Sequence, residues 1–60
     1  MNTLKQVEIW QFNRCCYTGH SQAASWASAI ASVRRRAIKK GAVLRCAESR
    51  YVTREIALPA

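Results

Sequence analysis

Residues 3–12, "TLKQVEIWQF", mix apolar and polar side chains in a way that predicts a strand. Odd positions supply Val7 and Ile9; even positions supply Leu4, Trp10 and Phe12. Both faces are partly apolar, and the β-branched and aromatic content favours extended backbone. The next segment, "NRCCYTGHSQ", reads as a loop because Asn13, Thr18, Gly19 and Ser21 are turn-forming types. Ser21 is placed to cap a helix. Residues 22–40 contain no Gly or Pro and are rich in alanine, the best helix former. Within them Trp26, Ile30, Val33 and Ala37 recur at helical spacing and define one stripe, widened by Ala23, Ala27 and Ile38. Ser25, Ser28, Ser32, Arg35 and Lys39 fall opposite. Gly41 stands where a left-handed C-terminal cap belongs.

Residues 42–58 admit two readings. As strands, "AVLRCA" sets Leu44 and Cys46 on one face, and "RYVTREIAL" sets Val52, Ile56 and Leu58 on one face with Arg54 interrupting. As a helix, the segment aligns Leu44, Ala47, Tyr51 and Leu58, with Glu55 interrupting. The run Tyr51-Val52-Thr53 favours a hairpin, although "ESR" lacks the glycine of a tight turn. Pro59 stops the last element. The expected fold is therefore α+β, a three-stranded sheet with one helix packed on it, in the order β-α-β-β. Residues 1–60 make a single small domain. The alternative is a strand followed by two helices, which would give the C-terminal half a helix-turn-helix character.

Size restricts function. A chain of 60 residues buries only about 60% of its unfolded surface. Its apolar side chains can cover one side of a small sheet. They cannot also line a substrate cavity of about 300–1,000 Å³. A self-contained enzyme acting on a small-molecule substrate is not expected, and a non-enzymatic binding module is. Oligomerisation is a common remedy for so small a core.

Charge then narrows the partners. Ten Lys/Arg stand against three Glu, for a net charge of +7. Residues 34–60 hold eight of the bases and two of the acids. Such a chain attracts nucleic acid, anionic membrane or an acidic protein. The densest run is "SVRRRAIKKG". Successive helical residues are about 100° apart, so Arg34, Arg35 and Arg36 fan out. Arg34 lies beside the apolar stripe and lays its stem along it. Arg35, Arg36 and Lys39 cluster on the serine face. A helix C-terminus attracts cations through its dipole, so the cluster has a purely structural explanation. It becomes a nucleic-acid surface if Arg45, Arg50 and Arg54 fold onto the same side, with Tyr51 beside Arg50 to stack on bases.

The remaining candidates are weaker. Cys15, Cys16, His20 and Cys46 do not match structural zinc spacing, because adjacent cysteines point apart. No metal or other cofactor is expected. A Cys16–His20 nucleophile has no orienting carboxylate, since the chain has no Asp. No run reaches the roughly 20 residues of a membrane span, no signal peptide is visible, and three unpaired cysteines suit a reducing cytosol. The preferred partner reading is protein contact: a homo-oligomer or a host protein, met through the small-residue arc Ala24, Ala27 and Ala31. In kind, the chain resembles the small accessory proteins of the early regions of temperate lambdoid bacteriophages. A single small basic domain, running from Met1 to a short "ALPA" tail with no catalytic residues, carries that resemblance. It implies a non-enzymatic role in modulating a host process and assigns no residue.

Overall fold

A computed structural model of the chain describes residues 3–58. The first strand, β1 (Thr3–Gln11), forms where the alternation predicts it. Its odd positions Val7, Ile9 and Gln11 are buried and its even positions are half-buried. The chain then reverses through Phe12 and Asn13, both at positive φ (56° and 62°). A two-residue loop with positive φ at both positions matches the right-handed twist of a hairpin.

The returning strand, β2 (Arg14–Ser21), occupies the segment expected to be a loop. Two features hid it. Phe12 is a poor fit to a left-handed turn position, so Phe12-Asn13 carries no hairpin signal. Gly19 looks like punctuation but serves close packing. A Cβ at Gly19 would lie 2.8 Å from Val33 Cγ1, so only glycine lets the helix cross this strand so closely. The ladder pairs Ile9 with Tyr17 and Trp10 with Cys15, leaving Cys16 as a bulge.

The helix, α1 (Trp26–Lys39), is shorter than the expected 22–40. Its cap is Ser25, whose Oγ accepts from Ser28 N at 3.2 Å. Ser21 instead closes a local turn, accepting from Ala23 N at 3.1 Å. Ala24 therefore lies outside the helix, separated from Ala27 and Ala31. The C-terminal end follows expectation. Gly41 has φ 75°, its N–H donates to Ile38 O, and Ala42 N–H donates to Ala37 O. This pair of bonds is a Schellman cap.

Residues 42–49 are turns, and only β3 (Arg50–Ala57) of the expected C-terminal hairpin is a strand. It pairs antiparallel with β1, giving the sheet order β2-β1-β3. The element order is thus β-β-α-β. The α+β class with one helix on a three-stranded sheet holds, while the second strand comes from 14–21 in place of 42–47. The reason lies in Gln11, which is 3% exposed. Its Nε2 donates to Leu44 O (2.9 Å) and its Oε1 accepts from Leu44 N (3.0 Å). A side chain takes the backbone groups that a strand would give to a neighbour. Pro59, expected to stop the last strand, lies outside the described residues.

Helix α1 packs mainly on β1 and β2, and β3 reaches the core through Tyr51. Val7, Ile9, Ala29, Val33 and Ala37 are fully buried, with Val43 at 4%. Each large aliphatic among them contributes about 1.5–3 kcal/mol. Ala29 and Ala37 keep the helix close to the sheet. Trp26, Ile30 and Ile38 flank this core, so the stripe is rotated from the expected one to centre on Ala29, Val33 and Ala37, and Ala27 is exposed.

Candidate nucleic-acid interface

The six cations singled out in the sequence divide between two sides of the molecule. Arg35, Arg36, Lys39 and Arg45 line one open groove, with Ile38 as its apolar member. Arg50 and Arg54 lie opposite Trp10 and Gln6 in the ladder. These even positions of β1 face away from the helix, so Arg50 and Arg54 belong to the uncovered face of the sheet.

The groove is built by α1 and the 42–49 segment. Residues 35, 36 and 39 recur on the outer side of the last helical turns, as the 100° spacing requires. Arg45 joins them through Arg34. The Arg34 guanidinium donates to Arg45 O (2.9 Å), Ser49 Oγ (3.1 Å) and Tyr51 OH (2.9 Å). One half-buried side chain thus fastens the loop and β3 to the helix. Gln11 braces the same loop from the sheet side and also donates to Ser49 Oγ at 2.9 Å. The sequence places Arg34 beside the apolar stripe, as found. Its loop contacts are non-local and had no sequence signal, and Gln11 had none either.

No carboxylate lines the groove among the described residues. Among the described residues, no carboxylate hydrogen-bonds a Lys or Arg. Glu8 accepts from Trp10 Nε1 at 3.0 Å, and Glu48 and Glu55 are exposed. Arg36 donates to His20 O in β2. Arg35, Lys39 and Arg45 are exposed, and no hydrogen bond engages their side chains among the described residues. On the far face Arg50 stacks over Trp10, 5.4 Å from the ring centroid, a contact that holds both side chains in place.

The other candidate chemistries do not assemble. His20 Nε2 lies 3.2 Å from Gln6 Oε1, and Cys16 Sγ donates to Gln11 O at 3.6 Å, so each has a separate partner. Cys15 sits near Thr18 Oγ1 (3.5 Å) and Cys46 is exposed in the loop. Among the described residues no three His, Cys, Asp or Glu side chains converge on a metal position. The open groove spans about 600 Å³, within the usual ligand range of about 300–1,000 Å³ and contrary to the expectation from chain size, whereas a pocket between Trp10, Phe12 and Arg50 holds about 170 Å³. Ala27 and Ala31 are exposed one turn apart, in a row that continues to Arg35. No helix among the described residues is long and apolar enough to cross a membrane. Comparison with protein families, curated proteins and solved structures finds no match.

Proposed function

We propose that this protein is a small non-enzymatic binding module whose ligand is nucleic acid, held by its phosphates in the Arg35–Lys39–Arg45 groove. The observation that carries this reading is the convergence of four cations on one open groove with no carboxylate among its lining residues. Gathering like charges opposes folding, since each close pair in water costs about 1 kcal/mol at 4 Å. A polyanion reverses that sign. An open groove suits a polymer better than an enclosed small molecule. Its single apolar lining residue, Ile38, offers little for insertion into lipid. A cytosolic setting, with Cys15, Cys16 and Cys46 as thiols, fits this ligand, and so does the host-modulating role implied by the phage resemblance.

Fluorescence anisotropy with labelled single- and double-stranded oligonucleotides tests the proposal. Three to four phosphate contacts give a log–log salt slope of about −3 to −4 on duplex DNA. The double variant Arg35→Glu/Lys39→Glu lowers affinity and reduces the slope by about two, one for each lost contact. Arg54→Glu, on the far face, leaves the slope unchanged. Absence of binding at low salt, or equal losses from both variants, overturns the assignment of this groove.

A further inference from the structure

We infer that β3 pairs edge to edge with β3 of a second copy, antiparallel about Thr53, to continue the sheet to six strands. The inference stands on β3 alone and does not rest on the nucleic-acid reading.

The two edges of this sheet are treated differently. On β2 the ladder is broken by the bulge at Cys16, the helix packs overhead, and Arg36 donates to the carbonyl of His20. Bulges and covering elements are how proteins blunt an edge against pairing. β3 has no bulge, and its protection is limited to the exposed charges Arg50, Arg54 and Glu55. Its ladder with β1 runs unbroken from Arg50 to Ala57. Apart from that ladder and the Arg34–Tyr51 bond, no hydrogen bond reaches it among the described residues. The helix reaches it at Tyr51, through Arg34, and Val52 to Glu55 are all exposed. A row of backbone donors and acceptors therefore faces solvent along a regular strand.

Charge selects the register. In a two-fold antiparallel pairing each residue meets a partner on the same face. Centring on Val52 would oppose Arg50 to Arg54; centring on Arg54 or Glu55 would oppose each to itself. Like charges directly opposite are destabilising. Centring on Thr53 opposes Thr53 to Thr53, Arg54 to Val52, and Glu55 to the Tyr51 hydroxyl. This register uses most of the strand and places no like charges directly opposite; Arg50 and Arg54 of the two copies meet only diagonally. The two-fold axis then stands perpendicular to the sheet, so both helices and both basic grooves lie on one side.

Sedimentation of the full chain over a concentration series provides the test. Two copies of charge +7 repel, so the runs include high salt, where the Debye length falls to about 3 Å at 1 M. The sedimenting mass is expected to double with concentration and more readily at high salt. Thr53 is exposed, so Thr53→Lys and Thr53→Glu keep the fold, checked by circular dichroism. Each opposes a charge to itself and weakens association about tenfold. An equal mixture of the two variants restores the dimer as a heterodimer. A wild-type protein that stays monomeric at high salt overturns the inference. So does a dimer that both variants leave intact, or a mixture that behaves like its separate components.

Discussion

Replacing Gln11 removes three hydrogen bonds at once: Nε2 to Leu44 O, Nε2 to Ser49 Oγ, and Leu44 N–H to Oε1. Each is worth about 0.5–1.5 kcal/mol net, which sums to about 2–4 kcal/mol. A domain of this size holds about 3–9 kcal/mol in all. The loss is therefore a large share of stability and lowers Tm by roughly 10–30 °C. Gln11→Met isolates the cause, because methionine keeps the length and methylene contacts while removing both polar atoms. Thermal unfolding followed by circular dichroism reads the effect. If Gln11→Met melts within about 4 °C of wild type, the hydrogen bonds do not hold the loop and the reasoning fails. The same variant carries a binding consequence. Freed from Gln11, the 42–49 segment keeps its bonds to Arg34 but holds Arg45 less firmly in the groove. Oligonucleotide affinity then falls, and the salt slope shrinks by about one, although no charge is removed.

Two further outcomes follow from the backbone. Gly19→Ala places a Cβ 2.8 Å from Val33 Cγ1 and 3.0 Å from the Tyr17 ring. It should cost about 1–3 kcal/mol in urea denaturation, and adding Val33→Ala should recover part of the overpacking term. Phe12 is 70% exposed at φ 56°, so Phe12→Gly should stabilise the hairpin by about 1 kcal/mol; a lower urea midpoint would show that the ring packs usefully against the tip.

The parts legible in the sequence are those decided by local pattern. Apolar alternation marked β1, spacing marked the face of α1, and Gly41 marked its end. The parts that were not legible depend on contacts between distant residues. β2 is a strand because β1 pairs with it and because Val33 crosses Gly19. Read alone, Thr18-Gly19-His20-Ser21 has the chemistry of a turn. The 42–47 run has the composition of a strand, yet Gln11 captures the backbone of Leu44. A polar residue in an apolar strand carries no label saying which backbone it will satisfy. The site shows the same division. Helical geometry was enough to group Arg35, Arg36 and Lys39, whereas the addition of Arg45 and the exclusion of Arg50 and Arg54 follow from topology.

The consecutive arginines 34, 35 and 36 show how one charge run serves three purposes. Rotation of about 100° per residue sends each guanidinium to a different neighbour. Arg34 turns inward to the loop and binds Arg45 O, Ser49 and Tyr51, where its charge is surrounded by oxygen acceptors and none is a carboxylate. Arg36 reaches across to His20 O and holds the β2 edge. Each of these can form several directed bonds from one planar group, which a lysine ammonium at the same place would not reproduce. Arg35 lies between them and points to solvent, with Lys39 one turn on. The two flanking arginines therefore contribute to the fold, and the middle one is free for a ligand. The basic character of the run is thus only partly a binding signal. Under the proposed function its ligand-facing part is Arg35 and Lys39, and Arg45 completes it because Arg34 brings it there.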